Sequence, residues 1–212
     1  MSEQPVAWES EGTSRIPFAV YTGAELHQRE MERFFYRGHW CYVGLEAEIP
    51  NPGDFFMTYM GEDRVIVVRD KQGNPQVLLN TCRHRGSVIC KAQKGTAPKL
   101  VCPYHQWTYN LKGELTAIPF RRGLRKQGGM PDDFDPKNHG LGKLQVTTRN
   151  GVIYASFSKD VKPFEEDIGA SMLALHDRVF DGRKLKVLGY QRQLIPSNWK
   201  LMMENIKDPY HA

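Results

Sequence analysis

The chain has 212 residues, 40% of them hydrophobic, enough to bury a core in one large domain or one and a half ordinary ones. Its 29 basic and 24 acidic residues give a mild, scattered +5 without a basic stripe, which argues against nucleic acid as a partner. No apolar run reaches the roughly eighteen residues a membrane span needs, and the polar, acidic opening MSEQPVAWESEGTSRIP is unlike a signal peptide, so no membrane is expected and the cytoplasm is.

In chain order, Thr22 and Glu25 have the form of a capping box, and Met31, Phe34 and Phe35 follow at helical spacing. They predict a helix over 23–36, inside an N-terminal helical arm of residues 1–38. From 39 to 158 the texture changes to short runs rich in Val, Ile, Tyr and Thr (WCYVGL, RVIVVRD, QVLLN, KLQVTT, GVIYASF), punctuated by turn signals such as KQGN and RNG. This is the pattern of an antiparallel β domain. Within it, the densest basic run, RRGLRK at 121–126, reads as a solvated loop.

Residues 159–212 form a third region. Pro163 suits the first position of a helix, and Phe164, Ile168, Met172 and Leu175 keep a helical stripe. Glu165, Glu166 and the solitary His176 belong to that ordinary amphipathic helix. KLKVLGYQRQLI then predicts a strand, and PSN leads into the terminal helix WKLMMENIKDPYHA. At about 100° per residue, Glu204, Asp208 and His211 share one face of this helix, which Pro209 is expected to bend. The fold class is therefore α+β.

Four cysteines without an export signal point to ligands or thiols rather than disulfides. Two of them stand in T-C82-R-H84-R-G and C102-P-Y-H105-Q-W, a C-x-H pair and a C-x-x-H pair separated by seventeen residues. Zinc is one candidate, since two thiolates and two imidazoles make a tetrahedral site. Zinc fingers, however, offer a Cys pair and then a His pair, whereas each loop here supplies one of each. The mixed order suits a [2Fe–2S] cluster with one iron held by thiolates and the other by imidazoles. Gly86, Gly95 and Pro103 fit loops that bring backbone N–H groups close to sulfur. Cys41 and Cys90 read as ordinary buried or half-buried thiols.

These loops resemble those of the Rieske family. The resemblance implies that Cys82 and Cys102 hold one iron and His84 and His105 the other. Ser87 and Tyr104 occupy the positions at which Rieske proteins of respiratory complexes carry a disulfide, so the cluster is similar to the low-potential type of oxygenases and their ferredoxins.

The tail N198-W-K-L-M-M-E-N-I-K-D208-P-Y-H211 resembles the segment by which the large subunits of ring-hydroxylating oxygenases present the first ligand of a mononuclear Fe(II). That family binds the ion through two His and a carboxylate, with positions left open for dioxygen. By the resemblance His211 is the first His and Asp208 a bridging acid, while the second His and the carboxylate have no counterpart. It implies a fragment of such a subunit, the β domain followed by the start of a helix-and-sheet catalytic domain, inactive in isolation. It further implies hydroxylation of an aromatic ring with O2, by a head-to-tail homotrimer or an α3β3 assembly. Electrons would come from NAD(P)H through a separate reductase, a ferredoxin or both, since no G-x-G-x-x-G follows a strand here. The run GGMP, with the tail, is similar to the branch acting on aromatic carboxylates such as anthranilate, salicylate or terephthalate. Two other readings stay open: a non-catalytic Rieske electron-transfer protein with an extended tail, and a structural zinc module.

Overall fold

The run DRVIVVR sits at the centre of the β architecture, and its four consecutive apolar residues, Val65 to Val68, are each 0% exposed. Such a run needs cover on both faces. The computed structural model, which describes residues 6–8, 15–125 and 127–211 without the side chain of His211, supplies it. Ile66 and Val68 join Leu78, Leu100, Cys82, Cys102, Trp107 and Tyr109 in one core, while Val65 and Val67 join Val77, Val43, Ile153 and Ala155 in another. Burying each of these Val and Ile side chains contributes about 1.5–3 kcal/mol before conformational entropy is charged against it.

The helices α1 (Ala19–Thr22) and α2 (Ala24–Glu30) come first, the latter running on into π-helical turns at Met31–Tyr36. The strands are β1 (Cys41–Leu45), β2 (Asp54–Met60), β3 (Asp63–Arg69), β4 (Pro75–Leu79), β5 (Lys94–Thr96), β6 (Leu100–Val101), β7 (Thr108–Tyr109), β8 (Leu115–Ala117), β9 (Gln145–Arg149) and β10 (Val152–Ser156). They build three antiparallel sheets, ordered β1-β10-β9, β4-β3-β2-β5 and β6-β7-β8. The β3–β4 turn at KQGN is closed by Asp70, whose Oδ1 accepts the backbone N–H groups of Gln72 and Asn74, both at 2.9 Å. The basic run at 121–125 is an exposed turn with Gly123 at φ +72°, and Lys126 lies outside the described residues.

Two compact units emerge, Phe34–Val187 and a second made of Met1–Arg33 with Leu188–Ala212. The first holds the three sheets together with α3 (Phe164–Ile168) and α4 (Ala170–Val179). Pro163 caps α3 rather than opening it, and Gly169 at φ +77° breaks the predicted single helix in two. The stripe differs from expectation as well: Phe164 is buried, but Met172 and Leu175 are more than half exposed. Their place is taken by His176, whose ring packs among Tyr154, Phe164 and Phe180. Beside it Asp177 accepts from Arg149 Nε at 2.8 Å and Nη2 at 2.6 Å, and Arg149 followed by His176 holds its carboxyl well below the usual range.

In the second unit, Thr22 does not start the long helix. Its Oγ1 donates to Phe18 O at 3.0 Å, because an additional turn, α1, precedes it and draws the hydroxyl back along the chain. KLKVLGYQRQLI forms no strand and joins none of the three sheets among the described residues. The last helix, α5 (Trp199–Lys207), is capped by Asn198, which accepts the N–H of Lys200 at 3.1 Å. It ends at Asp208 (φ −76°, ψ 112°) instead of bending through Pro209, since the residue before a proline is driven out of the helical region. Pro209–His211 form a separate 3-10 turn, so Glu204, Asp208 and His211 do not lie on one continuous helical face.

Candidate metal centre

Cys82 and His84 lie in the connection between β4 and β5, Cys102 and His105 in that between β6 and β7. Each connection closes on itself in the same way. Gly86 N–H donates to Cys82 O and Gln106 N–H to Cys102 O, both at 2.9 Å, and the N–H groups of Cys82 and Cys102 bond Ser87 O and Trp107 O, again at 2.9 Å. The fourth residue after each cysteine turns left-handed, with φ +71° at Gly86 and φ +56° at Gln106. The first accommodates this through glycine's freedom; the second is a non-glycine residue held there by its turn. Gly95 plays no part in these loops, contrary to the expectation from sequence. It lies in β5, where a Cβ would come within 3.2 Å of the Phe55 ring, a tight approach that favours glycine.

The two turns sort their ligand-type residues by depth. Cys82 and Cys102 are 3% and 1% exposed, whereas His105 is half-buried and His84 exposed. The imidazoles face each other edge to face with centroids 4.6 Å apart, and His84 stacks flat on buried Trp107 at 4.8 Å. That desolvated face, and then the nearby charges of His105 and Arg85, lower the His84 pKa and favour the neutral imidazole a metal requires. Burial pushes the Cys102 thiol up, but the backbone N–H groups of Tyr104 and His105 and the side chains of Cys82 and Ser87 outweigh it. The net direction is down, toward thiolate. The Ser87 hydroxyl itself donates to Val88 O at 3.4 Å. Among the described residues no group of three or more His, Cys, Asp or Glu side chains surrounds one ion position. What the loops present is a thiol pair inside and an imidazole pair at the rim, a donor set that fits a binuclear cluster anchored by sulfur within and by nitrogen toward solvent.

Two supporting residues escaped the sequence analysis. Tyr109, fully buried on β7, places its hydroxyl 3.3 Å from Cys82 Sγ and accepts the Arg83 N–H at 3.2 Å. Asn80, also fully buried, accepts from Ile89 N and Cys90 N and donates to Cys90 O and Met57 Sδ, which fixes the returning half of the first loop. Neither carries a motif, because a Tyr in a strand and an Asn at a strand end are common for other reasons. Cys41 and Cys90 are half-buried thiols, and burial raises both pKa values. Asp208 lies in the other unit, where its Oδ1 accepts the N–H of Tyr210 at 2.9 Å, and the side chain of His211 lies outside the described residues.

Comparison with known proteins agrees with this centre. Residues 39–127 match the model of the Rieske [2Fe–2S] domain. The large oxygenase component of salicylate 5-hydroxylase from Ralstonia sp is 58% identical over 98% of this chain and 50% of that protein. The large subunit of anthranilate 1,2-dioxygenase from Burkholderia cepacia is 46% identical over 94% of this chain and 47% of its own length. The solved structure of naphthalene 1,2-dioxygenase from Rhodococcus sp. bound to indole superposes with a TM-score of 0.80 at 34% identity, covering 92% of this chain and 44% of that one. The chain spans about half the length of the curated relatives it matches. Residues 39–127 are therefore a Rieske [2Fe–2S] domain, within a chain homologous to the large subunits of Rieske-type aromatic-ring-hydroxylating oxygenases.

Proposed function

We propose that this chain is the cluster-bearing part of the terminal component of a multicomponent oxygenase that hydroxylates an aromatic carboxylate with O2. The observation that carries it is the nested pair of Cys and His turns, set within a sequence 58% identical to a salicylate-hydroxylating relative. Cys82 and Cys102 hold one iron and His84 and His105 the other; in the complete protein His211 contributes to a mononuclear Fe(II). When bound, the cluster supplies a one-electron store whose potential is raised by imidazole ligation, and the mononuclear ion supplies open positions for dioxygen. The protein's part is to hold both sulfurs away from water, keep the imidazoles neutral and oriented, and present their outer edges to a partner. Asp208 suits that partner role in a head-to-tail homotrimer or α3β3 assembly, where its carboxylate would take the second N–H of His84 or His105 of a neighbouring subunit.

Electrons come from NAD(P)H through a reductase, a ferredoxin or both. No helix among the described residues is long and apolar enough to cross a membrane. With Cys82 and Cys102 serving as ligands and Cys41 and Cys90 unpaired with each other, a reducing, cytoplasmic setting suits the chain.

The test is the complete protein with its NAD(P)H-dependent reductase, assayed for oxygen uptake on salicylate, anthranilate and terephthalate. Hydroxylation of one of these is expected. A cluster that is reduced by the reductase yet supports no substrate-dependent uptake would establish the electron-carrier reading instead.

Tyr109 gives a finer check. Burial, and then its bond to Cys82, keep the hydroxyl protonated, and an iron-bound Cys82 thiolate has no proton to give, so the hydroxyl would donate to the sulfur. A donor to a thiolate stabilises the reduced, more negative cluster. Tyr109→Phe should lower the midpoint potential by about 20–60 mV, the equivalent of roughly 0.5–1.4 kcal/mol for one electron, with little change in the visible spectrum. Voltammetry of the purified domain reads this directly, and an unchanged potential would remove Tyr109 from the tuning groups.

A further inference from the structure

Glu30, the last residue of α2, is 7% exposed and takes no part in the metal centre. Its carboxylate oxygens accept from Lys200 Nζ at 2.7 and 2.6 Å, and Oε2 also accepts the indole N–H of Trp199 at 3.1 Å. The Lys200 side chain is itself only 16% exposed. Immediately before these two, Asn198 caps α5 with its Oδ1 and donates Nδ2 to Tyr21 O at 3.1 Å. Three consecutive residues at the start of α5 are thus tied to α1 and α2.

From there α5 runs to Asp208 with no side chain buried among the described residues. A helix of this length has little stability of its own, so this anchored first turn contributes to setting its direction. The hold is specific. A slip of one residue would bring Leu201 opposite the Glu30 carboxylate and strand a buried charge, which costs far more than an exposed ion pair contributes.

We propose that Glu30 is a positioning residue: its buried carboxylate fixes the first turn of α5 and thereby the place of Asp208 at the other end. This rests on the reading of Asp208 and His211 as the segment that faces the mononuclear iron.

The experiment uses the complete oxygenase with Glu30→Gln, Lys200→Met and the exchanged pair Glu30→Lys with Lys200→Glu. Three quantities are followed: hydrogen exchange of the amides in 199–208, the visible spectrum and potential of the cluster, and the single-turnover rate of cluster reoxidation in the presence of substrate and O2. Each single variant should speed exchange in α5 by about tenfold or more and slow reoxidation by a similar factor, with spectrum and potential unchanged. The exchanged pair should recover part of both. If Glu30→Gln fails to hold the cluster, Glu30→Asp, which keeps the charge and shortens its reach, carries the same test. Exchange in α5 that does not respond overturns the anchor. Faster exchange with normal reoxidation overturns the positioning role, provided Asp208→Ala is itself slow; if Asp208→Ala is also normal, the iron-facing reading of that segment is what has failed.

Discussion

Replacing Asp208 with alanine in the complete oxygenase should leave the cluster colour and most of the mononuclear iron in place while lowering turnover by about a hundredfold. The expectation comes from what a carboxylate does beside a ligating imidazole: it takes the second ring N–H, fixes the ring's orientation and raises its basicity, and its loss costs roughly 10- to 100-fold in activity or metal affinity. Asp208 is prepared for such a task. The proline that follows stops α5 at this residue, and the Tyr210 N–H on Oδ1 holds the carboxylate in one direction. Reduction by the reductase should proceed at the normal rate, and only reoxidation with substrate and O2 should slow. Rapid-mixing spectroscopy with a pre-reduced cluster separates the two. Reoxidation at the unaltered rate would make Asp208 a surface acid that ends a helix.

The second large effect concerns His105. Exchanging it for cysteine should lower the cluster potential by about 100 mV or more, in the direction of all-thiolate ferredoxins, because a thiolate adds negative charge where a neutral imidazole stood. The change lies at the half-buried rim, away from the core that holds Cys82 and Cys102, so the domain should fold. Elemental analysis of the unsubstituted domain is the companion measurement, with equal iron and sulfide expected. Colourless protein containing zinc would end the cluster assignment for both loops, and a potential that rises in the His105→Cys variant would end the ligand assignment for His105.

The centre was legible because its chemistry demands residue types at short spacings: a C-x-H and a C-x-x-H turn leave few alternatives whatever surrounds them. The longer strands were legible for a related reason, since DRVIVVR and GVIYASF carry enough β-branched residues to declare themselves. What stayed hidden depends on distant partners. The strands β5 to β8 have two or three residues each, too few to show a period, and they exist because each pairs with a neighbouring strand and three contribute Leu100, Tyr109 and Leu115 to the core around the cysteines. KLKVLGYQRQLI has the alternation of a strand but meets no edge to pair with among the described residues. Asn80 and Tyr109 acquire meaning only once the fold brings the loop backbone and Cys82 to them. The Thr22 cap failed locally, because the hydroxyl found a carbonyl one turn behind it.

The two cysteine turns, alike in backbone, hang from different sheets. The first follows β4 in the four-stranded sheet, the second joins β6 to β7 in a three-stranded one. Each turn is closed by its own hydrogen bonds, so the spacing between them is a property of the packed layer that separates the sheets, where Ile66, Leu78, Leu100 and Tyr109 are at most 1% exposed. Such a layer has low compressibility. A site mounted this way cannot easily expand or contract as its charge changes, and so the nuclear rearrangement that accompanies gain or loss of an electron is kept small. In electron-transfer language, mounting both loops on one packed layer is expected to keep the protein frame's share of the reorganisation energy small.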